Sequence, residues 1–103
     1  MKKANIFVDG VFAGELQEIQ RGKHYLFIYQ ERYKGLPVSL EMPTGQTQYE
    51  FDRFPPFFEG LLPEGMMLEG LLRQTKIDRS DLLSQLIAVG KDLVGNVTVE
   101  AEK

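Results

Sequence analysis

The stretch FFEGLLPEGMMLEGLL, residues 57–72, decides how this chain is interpreted. It runs from two aromatic residues through a Leu-Leu-Pro-Glu-Gly turn into a segment of methionine and leucine with helical spacing. It offers no nucleophile and no phosphate-binding loop. Its apolar side chains therefore belong either to the core of the protein or to a surface that contacts another protein.

The composition limits the classes of function. A chain of 103 residues is expected to form one domain spanning residues 1–103. The net charge of −3 and the scattered lysines and arginines argue against direct binding to nucleic acid, which requires a basic surface. The chain has no cysteine, which excludes a disulfide, a thiolate zinc site and a cysteine nucleophile.

The sequence also gives expectations about location. No segment approaches 18 continuous apolar residues, so we expect no contact with a membrane through a spanning helix. The opening MKKANIFVDG has two lysines but lacks the apolar run of a signal peptide. We therefore expect a cytoplasmic protein.

The first half of the chain has the patterns of β-strands. Asp9-Gly10 separates two β-branched and aromatic runs, which predicts a hairpin over residues 4–16 with a type I′ turn. Residues 24–29 predict a third strand, with alternate aromatic residues on one face. The prolines that bound residues 37–43 predict a short strand near an edge, followed by a polar loop over residues 44–50.

The second half has the patterns of helices. The spacing predicts a helix over residues 64–74, with Met66 outside a buried stripe formed by Met67, Leu68, Leu71 and Leu72. A second helix is predicted over residues 80–89. Asp78 or Ser80 would cap its start, and Gly90 would end it in the C′ position.

Alternation at residues 94–100 predicts a last strand that returns to the sheet. Strands, then helices, then one returning strand indicate an α+β fold. We expect a small antiparallel sheet or open barrel of about five strands, with helices from the C-terminal half packed on one side.

Candidate catalytic groups are weak in this sequence. The single histidine, His24, lies in a strand pattern and has no cysteine, serine or carboxylate at a recognisable spacing. Glu59 and Glu64 bracket the Leu-Leu-Pro turn. Glu59 is explained as a solvated surface residue, and Glu64 as an acidic residue in the first turn of a helix, where the helix dipole favours it. The run Gly90–Gly95 follows a helix, whereas a phosphate loop precedes one. We therefore expect no catalytic residues, no cofactor and no metal ion.

The turn itself is suited to binding. Pro63 and Gly65 fix the turn, so little ordering entropy would be lost when it binds. Met66 supplies a flexible thioether, which suits an adaptable surface. The residues alone favour a partner-binding Met66 and an ordinary surface methionine equally.

Four pieces of the chain resemble the HipA N-terminal domain family, in the family's order. The sequence FFEGLLPEG at residues 57–65 is similar to its FF-x-N-LLPEG signature, and residues 8–16 are similar to its opening hairpin. Residues 25–43 resemble the family's F-x-Y…Y…P-V-S-L-x-x-P pattern, in which a strand is followed by a tyrosine and then by the P-V-S-L motif. Residues 90–99 resemble its closing G-x-D-x-x-G-A-L-x-V. The chain departs from the pattern at Gly60, where asparagine is usual, and at Asn96, where alanine is usual.

The resemblance implies a function. In HipA-type toxins this domain precedes a serine/threonine kinase, whose catalytic residues lie in the part that follows. A stand-alone copy resembles HipS, the antitoxin of the bacterial tripartite HipBST toxin–antitoxin systems. Its implied partners are a HipT-like serine/threonine kinase, which it would inhibit, and a HipB-like DNA-binding protein in a ternary complex.

We expect the contact with the kinase to involve the residues of the turn and the helix start, which are Leu62, Pro63, Glu64, Gly65, Met66 and Met67. Another interpretation stays open. The chain would then be an N-terminal interaction or scaffold domain of a HipA-type kinase, or a truncated form of one, with no inhibitory role of its own.

Overall fold

A computed structural model describes residues 1–93 and 95–102 of the chain. Its centre is a five-stranded antiparallel sheet with strand order β4-β3-β2-β1-β5. The elements follow in the order β1 (Lys2–Val8), β2 (Val11–Gln20), β3 (His24–Tyr29), β4 (Gln48–Phe51), α1 (Pro56–Glu59), α2 (Gly65–Thr75), α3 (Leu82–Val89) and β5 (Val97–Ala101). The predicted α+β class with an open antiparallel sheet is confirmed.

The first hairpin forms as predicted. β1 and β2 pair antiparallel and Val8 stands opposite Val11. Asp9 and Gly10 have φ angles of 52° and 79°, which is the left-handed geometry that a type I′ turn requires at both central positions. β2 continues to Gln20, beyond the predicted end of the hairpin.

Alternation along the strands places one set of side chains in the core. The residues buried on the inner face of the sheet include Ala4, Ile6, Val8, Leu16, Tyr25, Phe27, Tyr29, Val97 and Val99. Tyr25, Phe27 and Tyr29 share this face, as the period-2 pattern of β3 predicts. The buried Leu83 and Leu86 of α3 belong to the same core.

The segment between β3 and α1 differs from the prediction. Residues 37–43 do not form a strand of the sheet, and Ser39 and Met42 make only an isolated bridge. The fourth strand is instead β4, which overlaps the stretch predicted as a loop at residues 44–50 and ends one residue beyond it. Pro37 and Pro43 lack the N–H groups that a ladder needs, which explains the first error.

The hydroxyl group of Tyr29 forms hydrogen bonds with the backbone of residues 37–43. It accepts a hydrogen bond from the N–H of Val38 at 2.9 Å and donates one to the carbonyl oxygen of Met42. Burial raises the pKa of Tyr29 above its usual value, so its hydroxyl stays protonated to a higher pH than that of a free tyrosine. The loop is thereby attached to the core through one buried side chain.

The start of α3 is capped by Asp81, and the predicted caps Asp78 and Ser80 are wrong. The Asp81 carboxylate accepts from the N–H of Ser84 at 3.2 Å and from the Ser84 hydroxyl at 2.7 Å. It also pairs with Lys2 Nζ at 2.9 Å and with Arg21 at 3.2 Å. This nearly buried carboxylate joins α3 to β1 and to the β2–β3 turn.

Asp81 makes the stability of the fold dependent on pH. Burial alone would raise the pKa of its carboxyl, but hydrogen bonds from Lys2 and Ser84 outweigh burial and hold the pKa below its usual value. The stabilisation is therefore present above the unfolded-state pKa of about 3.9 and is lost as the pH falls through the lower folded-state pKa.

We predict that Asp81→Asn lowers the free energy of unfolding at pH 6 by about 1–3 kcal/mol, since it removes charge-assisted hydrogen bonds. Asparagine remains a good N-cap, so the helix itself is kept. Urea unfolding at pH 6 and at pH 3 should show a smaller loss of stability on acidification in the variant. Equal losses in the variant and the wild type would contradict this role of Asp81.

Gly90 ends α3 for a reason other than the one predicted. Its φ of −59° is right-handed, so no C′ residue with positive φ is needed there. A Cβ at this position would instead lie 2.0 Å from the carbonyl oxygen of Val99. The Val99 N–H donates to the Gly90 carbonyl at 2.9 Å, so glycine permits the close approach of the helix end to β5.

The last strand begins at Val97, later than predicted. Val94, where the predicted strand starts, and Lys103 at the end of the predicted domain lie outside the described residues. Over residues 1–93 and 95–102, no helix has the length and apolar character needed to cross a membrane.

Candidate partner-binding surface

Two phenylalanines attach residues 54–59 to the sheet. Phe54 is buried and its ring meets Tyr25 edge-on, with centroids 5.3 Å apart. Phe58 is fully buried, 6.1 Å from the ring of Phe27 and 5.2 Å from that of Phe57. The short helix α1 starts at Pro56, a residue favoured at the first helical position.

The chain then rises from the core towards the surface. Leu61 donates its N–H to the Phe58 carbonyl and Leu62 donates to the Glu59 carbonyl, both at 3.1 Å. Both leucines are half-buried and pack against the core. The turn that follows is therefore held at its base by backbone hydrogen bonds and by apolar packing.

The end of the turn has a fixed geometry. Glu64 is extended, with a φ of −129°, and Gly65 is left-handed, with a φ of 58°. A residue with a side chain would be strained at Gly65, although the space around it is open. The backbone conformation of Pro63, Glu64 and Gly65 thus sets the direction in which α2 begins.

The predicted buried stripe of α2 is wrong. Met67 was placed in it and is 76% exposed. All eleven residues of α2 are described by the structure and none of them is buried, since Leu68, Leu71 and Leu72 are only half-buried. Helical periodicity correctly located the helix, but it did not show that its apolar side is largely left uncovered.

Met66 lies outside the core on the first turn of α2, as the sequence predicts. Its side chain is 91% exposed, on the first turn of α2 next to Met67. Two large apolar side chains thus lie next to each other on one exposed helix start, and apolar surface of this kind is found at contacts between proteins. Thioethers adapt to irregular surfaces, which suits such a contact.

The six predicted contact residues divide into a base and a tip. Leu62 and Pro63 are half-buried and form the base, whereas Glu64, Gly65, Met66 and Met67 are exposed. We call these last four residues the tip surface. The structure brings all six together, since they are consecutive, and makes the tip surface available to another molecule.

Comparison with known proteins identifies the family. The family model described as the HipA N-terminal domain matches residues 4–100. The chain belongs to the HipA N-terminal domain family. A solved structure described as the N-terminal domain of HipA toxin has a TM-score of 0.77 and 30% identity, covering 100% of this chain and 94% of that one.

Relatives show two sizes of protein that carry this domain. An uncharacterized protein of Haemophilus influenzae is 34% identical over 103 residues, covering 100% of this chain and 95% of the relative. A protein of Sinorhizobium fredii named "Putative kinase Y4dM" is 35% identical over 77 residues, covering 71% of this chain. The match spans only 19% of that second relative.

The pair formed by His24 and Glu50 was missed in the sequence. The pairing of β3 with β4 brings their side chains to 2.5 Å, although 26 residues separate them. The side chains are 39% and 65% exposed, where an ion pair contributes about 0–1 kcal/mol. The role of His24 in this HipA-type domain is therefore explained as a side-chain link between β3 and β4.

Two hollows on the described part of the chain lie away from the tip surface. One of about 450 Å³ is lined by residues of β1, α3 and the chain end, including Lys2 and Ser84. Another, of about 570 Å³, lies beside the end of β3 and includes Tyr29 and Tyr33. Among residues 1–93 and 95–102, no three acidic or histidine side chains are grouped so as to hold a metal ion.

A second exposed apolar feature also escaped prediction. Leu40 is 94% exposed and Leu36 is 58% exposed, both on the loop attached through Tyr29. The prolines at residues 37 and 43 are the signal that this stretch is a loop and that its leucines need not be buried. Leu40 is a useful control residue, because it matches Met66 in exposure and lies outside the tip surface.

Proposed function

We propose that this protein is a HipS-like antitoxin of a tripartite toxin–antitoxin system. It binds a HipT-like serine/threonine kinase through the turn and helix start at residues 62–67 and inhibits it by occupying its surface. A HipB-like DNA-binding protein completes a ternary complex. In this proposal the chain is not an enzyme and acts in the cytoplasm.

One observation carries the proposal. α2 exposes Met66 and Met67 at 91% and 76%, at the end of a turn that is anchored to the core. An anchored base reduces the entropy lost on association, which favours binding through the apolar tip surface. Inhibition by occupancy needs no catalytic group in the inhibitor.

The relatives support a kinase as the class of partner. A protein named as a kinase carries a stretch like this one over a fifth of its length, while the Haemophilus relative is matched over nearly all of its length. A domain of this family is thus found within a longer chain and as most of a short one. The second arrangement supports a separate domain that binds its kinase in trans.

The proposal is tested by co-expression of this chain with a HipT-like kinase and a HipB-like protein encoded beside it. A tag on the kinase should retain this chain at a stoichiometric level through size-exclusion chromatography. The expected affinity is in the nanomolar to micromolar range typical of specific protein complexes. Failure to co-elute with the kinase would contradict the proposal.

A scaffold domain without inhibitory role is the second candidate, favoured by the match to the N-terminal part of a HipA toxin. A scaffold would co-elute with the kinase as well. The two candidates differ in the activity of the bound kinase, which falls for an antitoxin and is unchanged for a scaffold.

We predict that the purified chain alone does not hydrolyse ATP or transfer phosphate. The physical reason is that phosphoryl transfer requires residues that hold magnesium and cradle the phosphates, and the sequence has no such motif. Incubation with labelled ATP and candidate substrates is the measurement. A rate that survives repeated purification would contradict the prediction.

A further inference from the structure

We propose that Met66 and Met67 form a methionine oxidation site through which a peroxide weakens the binding of this protein to its kinase. The identity of the binding partner in this inference rests on the proposed function. The oxidation site itself is inferred from the exposure of the two methionine side chains.

The accessibility of the four methionines sets the order of reaction. Met66 is 91% exposed and Met67 is 76% exposed, and they are adjacent on the first turn of α2. Met42 is only 2% exposed, because its side chain is buried although it belongs to the loop that Tyr29 attaches to the core. Met1 is 74% exposed but lines a different part of the surface. Susceptibility follows exposure, so the tip surface reacts well before Met42.

The reaction is a two-electron oxidation of each sulfur. A lone pair on the thioether attacks one oxygen of hydrogen peroxide and the O–O bond breaks. The sulfur keeps that oxygen as a sulfoxide, and the other oxygen takes up the remaining proton and leaves as water. The peroxide is reduced in the same step, so no further reagent is needed.

The modification changes the surface and leaves the fold intact. A sulfoxide is polar and chiral, so at an apolar contact it must be desolvated without a matched partner. None of the residues of α2, all of them described, is buried, so oxidation there removes no core contact. The core methionine Met42 stays reduced until the protein unfolds, and the effect is therefore on binding.

The complex should protect the site. A kinase seated on the tip surface covers both thioethers, so the free chain is the form that reacts. Oxidation then removes free antitoxin from the binding equilibrium, and the kinase is released as the complex dissociates. This relates the activity of the kinase to the oxidation state of the tip surface.

The experiment uses the full chain with hydrogen peroxide as the probe. Peptide mass spectrometry follows the oxidation of each methionine with time, and circular dichroism follows the fold. Binding of treated and untreated protein to the HipT-like kinase is then measured by calorimetry. We expect oxidation of Met66 and Met67 to weaken binding by roughly tenfold or more with an unchanged circular dichroism spectrum.

The matched control is the double variant Met66→Leu with Met67→Leu. Leucine cannot be oxidised, so the variant is compared with itself before and after peroxide treatment, whatever its untreated affinity for the kinase. Peroxide should then have no effect on binding by the variant. Treatment of oxidised wild-type protein with methionine sulfoxide reductases of both stereospecificities should restore binding.

Two results would overturn the inference. The first is oxidation of Met42 as fast as that of Met66 and Met67, a measurement that needs no kinase. The second is wild-type protein fully oxidised at both positions that binds the kinase as tightly as before. If untreated protein does not bind the kinase at all, the proposed function fails, and the order of oxidation still tests the site.

Discussion

Met66→Asp is expected to abolish neutralisation of the kinase while the protein stays folded. The change places an unpaired charge in an apolar contact, which should cost on the order of 2–4 kcal/mol of binding free energy. An exposed site rarely moves stability by more than about 0.5 kcal/mol. An aspartate in the first turn of α2 also interacts favourably with the helix dipole.

Growth of cells that co-express the kinase with each variant gives the measurement, with circular dichroism to detect misfolding. Leu40→Asp is the control, because Leu40 is 94% exposed and Met66 is 91% exposed. It should rescue growth as the wild type does. If folded Met66→Asp also rescues growth fully, the contact lies elsewhere on the domain.

Phe58→Ala is expected to destabilise the fold by about 3–5 kcal/mol, the range for truncation of a buried phenylalanine. Phe58 has no exposed surface and its ring meets those of Phe27 and Phe57. The loss is a large part of the stability of roughly 5–15 kcal/mol that a domain of this length has. Binding should fall too, since the turn loses its anchor.

Denaturant unfolding measures this effect through the shift of the midpoint. Phe57→Ala is the comparison, because Phe57 is adjacent but only half-buried, and its loss of stability should be clearly smaller. A Phe58→Ala variant that unfolds at the wild-type midpoint would show that residues 57–62 are not anchored through this ring.

Local chemistry explains which strands and helices could be predicted. Asp9-Gly10 permits the φ angles of a type I′ turn, and the alternation in β3 fixes which side chains face the core. Both depend on residues close together in the sequence. The hairpin, the third strand and both longer helices were therefore located from the sequence.

The errors concern contacts that the sequence does not encode locally. The role of Gly90 depends on the approach of Val99, and the cap at Asp81 is supported by Lys2 at the other end of the chain. β4 was missed because its partner, β3, is separated from it by a long loop. Such tertiary contacts override turn and capping preferences.

The candidate surface was predicted in part. The exposure of Met66 followed from its position outside the apolar stripe, whereas Met67 was also counted as core. A helical stripe indicates that a helix has an apolar side, and it does not indicate what covers that side. For α2 the described part of the chain leaves that side largely open, and we propose that the kinase covers it.

The most direct test is the autophosphorylation rate of the HipT-like kinase, titrated with this protein at a kinase concentration well above the dissociation constant. An antitoxin that occupies the kinase predicts a linear fall in rate that reaches background at one equivalent of wild-type protein. Met66→Asp at the same ratio should leave the rate high. A kinase that binds wild-type protein stoichiometrically but keeps its full rate would contradict inhibition and identify the domain as a scaffold.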